Sequence, residues 1–559
     1  MLKNIFPSLQ WIKGYSLITL RADAFSGLTL AAYAIPVSMA YATLAGLPPQ
    51  YGIYGYLIGG LFYAVFGTGM QTAIGPTSAI SLLIGTTIAT MANGDIQRWA
   101  DIASLTALVV AAISVMAYVL KINSIINFIS ESVLLGFKAG TAITIALTQL
   151  PKLFGVKGGG SGFFDRIAEL SSQVPNTNLT VFIFGSTAII LLIAGERFFP
   201  GRPVAILLVI ASIILISTTT LGTTGFSVTG YMPAGLPQFH LPSLRMKDVD
   251  GVFPLAFACF LLMYIESVSA AKTLAQEGGY EIHPRQELLA LAAANLATAF
   301  GQGYPVSGGL SQSAVNSKAG ARTPLSLVFA SAVIAICLLF LTGPMKNLPD
   351  VILASILLVA ISSLVDIKGL KRLWNVSRTE FIVAILALSG VIIFGILKGV
   401  VIAAIASIVL LIRAVSEPHI AFLGRIPGTK RYTDIVRHPD NETIPGILLF
   451  RVEASILYFN IENIRNHVWK EIQNREGSLK TVIWDLSTSP FVDIEGAKFI
   501  KRLCTDLNAK GISLKIAEAH ADVRDILRIE ELENLMGHIS RKVSVDDLVN
   551  ESVKSDQDP

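Results

Sequence analysis

At 559 residues, 52% hydrophobic and only 15% charged, the chain has too few polar side chains to coat a water-soluble body of its size, since soluble domains carry roughly 25% charged residues. Its formal net charge of +4 is too small to argue for a nucleic-acid partner, and its three cysteines, Cys259, Cys337 and Cys504, form neither a disulfide framework nor a metal motif. No Walker loop, zinc-ligand spacing or nucleophile elbow occurs, so no enzyme, cofactor or metal is expected, and the run Lys157-Gly158-Gly159-Gly160 reads as a flexible loop.

Residues 1–22 lack the apolar centre and cleavage site of a signal peptide and are read as a short cytoplasmic segment, leaving insertion to the first spans. From 23 to 414 one apolar run follows another. Stretches long enough to cross about 30 Å of hydrocarbon lie near 24–42, 50–67, 101–120, 124–150, 178–198, 202–221, 252–273, 286–303, 323–343, 350–366, 379–394 and 396–414. Two segments break the rule: 71–91 (QTAIGPTSAISLL) and 303–320 (GYPVSGGLSQSAVN) are interrupted by Gly, Pro and Ser, and each leaves only a short helical half. With these included, the chain is an α-helical polytopic membrane protein of about fourteen spans. In the first span, a helix broken at Pro36 is expected to free carbonyls near the midplane, where Tyr41 either donates to a substrate or simply packs.

With the N-terminus inside, the cytoplasmic loops hold Lys121; Arg197 and Arg202; Lys272 and Arg285; Lys318 and Arg322; and Lys368, Lys371, Arg372 and Arg378, as the positive-inside rule requires. The outward segment 151–177, with Lys152, Lys157 and Arg166, is the exception, and is long enough for the rule to weaken. An even number of spans returns the C-terminus to the cytoplasm, in a cell (inner or plasma) membrane.

The broken segments fall third in a first set of seven spans (23–221) and third in a second set (252–414), and an odd number per set makes the repeat inverted. In such proteins discontinuous helices meet near the midplane, where unwound backbone lines a cavity. Gly75-Pro76-Thr77-Ser78 and Ser307-Gly308-Gly309-Leu310-Ser311 are therefore expected to wall one site. Helix N-termini carry free N–H groups and partial positive charge, which favours an anion. Small residues at Gly75, Ser78, Gly308 and Gly309 let it reach the backbone, and Thr77, Ser307 and Ser311 add hydroxyls. The alternative is that Gly and Pro merely kink packed helices.

Glu266 lies inside a span, where ionisable groups are expensive and usually functional. Ionised it repels an anion and protonated it tolerates one, which couples anion movement to a proton; pairing with Lys272 is the alternative. Lys138, seven residues after Glu131 and on roughly the same helix face, reads as a snorkelling or Glu131-paired lysine.

These stretches resemble the sulfate permease (SulP) family of secondary anion transporters. The resemblance is carried by the run from Pro36 to Tyr54, GPTSAISLL, Glu266-Ser267, SGGLSQSAVNSKAGARTP from Ser307 to Pro324, and the tail. It implies a seven-plus-seven inverted repeat sorted into core and gate bundles, a homodimer, and elevator-like movement of the core. It also implies that Tyr41 is a substrate-site tyrosine and Glu266 the glutamate associated with proton coupling. Two positions depart from the sulfate-carrier pattern: Pro36-Val37 stands where those carriers have Pro-Gln, and Gln312 where many members have Arg. Gln keeps hydrogen-bonding ability but removes a full charge, weakening a dianion more than a monoanion. Bicarbonate, chloride or a carboxylate thus stay open beside sulfate.

After a linker at 415–430, residues 431–555 alternate extended runs (GILLFRVEASILYF, LKTVIWDLS, ISLKIAEA) with helical ones (IENIRNHVWKEI, IEGAKFIKRLCTDLNAKG), a compact α/β pattern. This tail resembles a STAS domain, with Asp485-Leu486-Ser487 ending a strand and the run from Phe491 to Gly496 opening a helix. Ile494 stands where anti-sigma-factor antagonists of that fold often carry a phosphorylatable Ser, so regulation by that phosphorylation is not expected. The tail either stabilises a dimer and aids assembly or signals.

The expected function is secondary active transport of a small inorganic anion, sulfate-type or bicarbonate, by proton-coupled symport. Its partners are the anion, a proton or sodium ion, the bilayer and a second copy. An uncoupled anion channel or exchanger, a sodium-coupled bicarbonate or carboxylate carrier, and a non-transporting scaffold acting through the tail remain as alternatives. Glu266 and the two broken helices favour a carrier, because a channel has no need of a buried titrating carboxylate.

Overall fold

The computed structural model describes residues 6–555 apart from 13, 93, 123–129, 161, 199–202, 220–224, 244, 363, 476 and 538. Arg202 and the margins of the spans expected at 124–150 and 202–221 lie outside the described residues. The chain divides into two compact units, one ending at Ser407 and the other beginning at Ile408.

In the first unit, apolar runs form helices α1 (Leu17–Leu44), α2 (Pro49–Phe66), α3 (Ser78–Ala92), α4 (Ile96–Val119), α5 (Glu131–Phe154), α6 (Leu179–Phe198) and α7 (Val204–Thr218). A second set follows: α8 (Met246–Gly278), α9 (Pro284–Phe300), α10 (Leu310–Lys318), α11 (Leu325–Phe340), α12 (Asp350–Ser362), α13 (Arg378–Phe394) and α14 (Ile396–Ser416), whose last turns belong to the second unit. Local chemistry sets their ends. Asp95 accepts from the Gln97 and Arg98 N–H groups to cap α4, and Ser130 accepts from Val133 N–H to cap α5. Gly155, at φ +67°, closes α5 in the left-handed region.

Among the described residues, five stretches are both long and apolar enough to cross a bilayer: Leu17–Leu44, Ile96–Val119, Glu131–Phe154, Asp248–Gly278 and Asp350–Val376. The pair Phe163–Asn176 and Leu179–Gly195, bent by 116°, is a sixth candidate. The apolar helices Val204–Thr218 and Leu325–Phe340 are shorter than a full span.

The helices sort into two bundles. α1 to α4 pack with α8 to α11, while α5 to α7 pack with α12 and α13. These correspond to the core and gate bundles of the expected inverted repeat, each set of helices giving its first four elements to the core. The inversion appears in detail. Asp23 at the start of α1 accepts from the Arg322 and Thr323 N–H groups just before α11, and Asp248 at the start of α8 accepts from Arg98 at the start of α4. The first helix of each repeat thus clamps the fourth element of the other.

Two expectations need correction. α1 runs unbroken through Pro36. The ring forfeits one backbone bond, which a packed helix in an apolar bundle tolerates. The segment 151–177, expected as an outward loop, is not all loop: Phe163–Gln173 is an amphipathic helix with no buried residue.

The second unit is a five-stranded sheet, β3 (Ile420–Arg425), β4 (Tyr432–Asp434), β5 (Ile447–Val452), β6 (Thr481–Asp485) and β7 (Ser513–Ala517), in the order β4-β3-β5-β6-β7. β5, β6 and β7 run parallel, and β3 is antiparallel to β4 and β5. α15 (Ile461–Asn474), α16 (Ile494–Ala509) and α17 (Ala521–Ile529) cover one face around Trp484, and α18 (Val545–Ser555) covers the other. Asp493 caps α16 by accepting from Gly496 N–H at 2.7 Å. Arg451 and Asp485 form an ion pair at 2.6 Å across neighbouring strands. The linker expected at 415–430 contains β3, a short strand that follows an apolar helix too closely for its alternation to stand out.

Candidate functional site

The two broken segments meet. β1 (Ile74–Gly75) and β2 (Ser307–Gly308) pair antiparallel, with Ile74 opposite Gly308 and Gly75 opposite Ser307. A helix begins just after each strand, α3 at Ser78 and α10 at Leu310 behind its N-cap Gly309. Both N-terminal turns therefore issue from one two-residue ribbon, and no side chain caps α10.

Unwound backbone inside an apolar bundle must find partners, and side chains supply them. Asn295 of α9 mimics a strand neighbour: its Oδ1 accepts from Val306 N–H at 2.9 Å and its Nδ2 donates to Val306 O at 3.1 Å. Ser313 Oγ accepts from Ala73 N–H at 2.9 Å, and Asn316 Nδ2 donates to Gln71 O at 3.0 Å. Ser267 Oγ accepts from Gly308 N–H at 2.7 Å. Gln312 Nε2 donates to Ala73 O and to Ser307 O, both at 3.1 Å, which uses both protons of its amide. Gly75 has no alternative residue, because a Cβ there would lie 2.1 Å from the Tyr56 ring.

Around this ribbon the structure gathers the nominated residues. Tyr41 of α1 lies buried beside Ser78 and within the electrostatic reach of Glu266. Thr77 and Ser78 are buried at the start of α3. The Ser307 hydroxyl lies 3.3 Å from Glu266 Oε2, 3.2 Å from the Met263 carbonyl and 3.2 Å from the Ser267 hydroxyl, so its one proton has three acceptors to choose from. Thr77 leans on the Glu266 carboxylate without reaching normal hydrogen-bond geometry. The tip of α10 is open, with Leu310 half exposed and Gly309 and Ser311 partly so. Gln312 is buried behind that tip.

Three carboxylates within the helical unit differ in how they are held. Asp23 accepts from Arg322 N–H at 2.7 Å, Thr323 N–H at 3.1 Å and Tyr15 O–H at 2.9 Å. Glu287 accepts from Tyr63 O–H at 2.7 Å and Thr68 N–H at 2.8 Å. Glu266 is met by the Ser307 hydroxyl at 3.3 Å. It is the loosely held carboxylate, beside the open tip. The Lys272 pairing is not found among the described residues; the lysine whose charge acts at Glu266 is Lys138.

Sequence reasoning missed Asn295, Ser313 and Asn316. Asn295 had a readable signal, a lone amide inside the apolar run LLALAAANLATAF. Ser313 and Asn316 look like ordinary polar residues of a short helix until the partner strand is in place. A cavity of about 330 Å³ bordered by Trp11, Thr68, Tyr118, His283 and Arg285 contains none of the nominated residues.

Two converging helix tips, several hydroxyls and a loosely held carboxylate bring together groups whose chemistry favours a small anion. A model of the sulfate permease family matches residues 20–387, and a STAS-domain model matches residues 438–545. A probable sulfate transporter of Mycobacterium tuberculosis is 29% identical over 531 residues, spanning 95% of both chains. Sulfate transporter 4.1, chloroplastic, of Arabidopsis thaliana is 30% identical over 551 residues, spanning 96% of this chain and 80% of its own. The structure of murine Solute Carrier 26 family member A9, an anion transporter in the inward-facing state, superposes with a TM-score of 0.88 at 20% identity, covering 99% of this chain and 94% of that one. The transmembrane domain of the cyanobacterial bicarbonate transporter BicA matches with a TM-score of 0.61 at 21% identity, covering 70% of this chain and 98% of that one.

Proposed function

The chain belongs to the sulfate permease family, with a C-terminal STAS domain, and from that premise we propose that it is a secondary active carrier of a small inorganic anion, sulfate or bicarbonate, driven by a co-transported proton. The observation that carries this reading is the β1–β2 ribbon, from which two oppositely inserted helices present their N-termini to one pocket flanked by Glu266. The sulfate transporters among its relatives support the substrate class.

Glu266 is the proton carrier in this reading. Asp23 and Glu287 have their lone pairs occupied by short hydrogen bonds, whereas Glu266 is loosely held and able to change charge as the anion arrives. Elevator-like motion is supported by the division into two bundles: the anion pocket belongs to the core, which slides against the gate along α1, α3, α5, α7 and α12. We place the protein in the cell membrane as a homodimer with both termini cytoplasmic.

Purified protein in liposomes should take up radiolabelled sulfate or bicarbonate faster when the outside is acidified. Glu266→Gln, neutral at every pH, should flatten that response while still permitting anion flux. A mutant that keeps the parental pH profile refutes the role of Glu266. Imposed sodium gradients in the same vesicles separate a proton-coupled from a sodium-coupled carrier, and flux that no gradient drives uphill marks a channel.

A further inference from the structure

Helix α5 is fixed in rotation by its glycines. A Cβ at Gly136 would lie 1.8 Å from the Ala384 carbonyl oxygen, and one at Gly140 would lie 2.8 Å from that of Leu388, so this face of α5 is pressed against α13. At 100° per residue, positions 136 and 140 share that face and position 138 falls on the opposite one. α5 also packs against α3, whose first turn carries Ser78. The long side chain of Lys138 therefore leaves α5 on the side away from α13, and its charge is felt at Glu266.

No ion pair within 4.0 Å joins Lys138 to Glu266 among the described residues. Two buried hydroxyls on the elements concerned have no hydrogen-bond partner: Thr77 Oγ1 on the core side, and Thr141 Oγ1, one turn beyond Lys138 on the same face of α5. Thr141 is fully buried, where an unsatisfied hydroxyl is costly unless a ligand completes it. Gln312, which stands where a cation was expected, has both amide protons committed to backbone carbonyls and none to give an anion.

We propose that Lys138 supplies the positive charge of the anion site, forming with Thr141 a gate-side wall opposite the two helix tips, and that it alternates between Glu266 and the bound anion. This rests on the carrier reading above. With Glu266 ionised, Lys138 answers its charge across the gap. When Glu266 takes a proton from solution, Lys138 is released to hold the incoming anion, so one proton and one negative charge are taken up together. The other titratable groups that sense Glu266, the Tyr41 phenol and the Cys259 thiol, are neutral near pH 7 and do not compete for this role.

The test uses the full chain in liposomes, with uptake of radiolabelled sulfate and bicarbonate measured against concentration and pH. Binding is read separately, as the rise in unfolding temperature of the purified protein on adding sulfate. Lys138→Gln should raise the half-saturating concentration about tenfold, more for sulfate than for bicarbonate, and abolish the sulfate-induced stabilisation. Lys138→Arg should restore most of both. Thr141→Val should raise half-saturation about threefold, and gives an independent reading if Lys138→Gln does not fold. In Glu266→Gln, half-saturation near neutral pH should match that of the acidified parent, because Lys138 is already free. A Lys138→Gln protein with parental half-saturation and parental sulfate stabilisation overturns the proposal, as does a Thr141→Val protein unchanged in both. A parent that sulfate stabilises through Lys138 but that accumulates no anion refutes coupled transport and leaves the lysine in place.

Discussion

The two broken segments occupy equivalent places in the inverted repeat, yet they are built differently. The first, ending in α3, contributes close-packed shape: Ile74 is fully buried, and Gly75 sits against the face of Tyr56. The second, ending in the nine-residue α10, is polar and is held by hydrogen bonds, with Gln312, Ser313 and Asn316 all reaching across to the backbone of residues 71–73. One half thus supplies a fixed rail, and the other supplies the latch that grips it. Symmetry of path does not require symmetry of chemistry. The latch side also carries Glu266, Ser267 and Ser307, so the hydroxyls and the carboxylate around β2 belong to the repeat already rich in polar groups.

The strongest challenge to this contrast is a methyl group on each strand. Gly75→Ala would place a Cβ 2.1 Å from the Tyr56 ring, whereas Gly308→Ala would meet Thr72 at 3.0 Å and Ser267 at 3.1 Å. We expect Gly75→Ala to cost about 3 kcal/mol and abolish uptake, and Gly308→Ala to cost about 1 kcal/mol and leave a folded, impaired protein. Thermal unfolding in detergent and uptake in liposomes would measure both. Equal losses at the two positions would mean that the rail is no stiffer than the latch. Gln312→Leu is next in size. It leaves the Ala73 and Ser307 carbonyls without their donor in a buried place, and should lower stability by about 2 kcal/mol. Gln312→Arg should not shift the preference between sulfate and bicarbonate towards the dianion while keeping parental stability, since no buried proton of the amide is spare. If it does both, Gln312 is a ligand and not a staple.

Much of the rail was legible in the sequence and much of the latch was not. The interruption GPTS in an apolar run, its counterpart SGGLS at the matching place, and the odd number of spans in each set state the inverted repeat in local terms. Glu266 was legible because a lone carboxylate inside a span has few reasons to be there. Likewise Asp493-Ile494-Glu495-Gly496 was readable as a helix start, and Asp493 caps α16 through Gly496 N–H. The latch depends on contacts between residues more than two hundred positions apart, such as Ser313 with Ala73, and no local pattern records those. Pro36 misled in the opposite direction, since its effect on α1 depends on the neighbours that hold the helix straight. Spacing along one helix reads Lys138 as a snorkelling or Glu131-paired lysine, and the glycine face that turns it away from α13 becomes visible only when α13 is in place.

The finest test of the rail and latch compares two serines, one in each segment. Ser313 Oγ accepts from the Ala73 backbone N–H at 2.9 Å, while Ser81 of α3 shares a 3.0 Å hydrogen bond with the Tyr304 hydroxyl. Removing the first strands a backbone donor that cannot turn elsewhere, in a place fully closed to water. Removing the second strands a hydroxyl that can rotate about its C–O bond to seek another partner. Ser313→Ala should therefore cost about 1.5 kcal/mol and Ser81→Ala about half of that, read as the difference in apparent unfolding temperature under one detergent and one heating rate. The order of the two values matters more than their size. If Ser81→Ala proves the more damaging, the first segment is held by its polar groups after all, and the division of labour between the repeats fails.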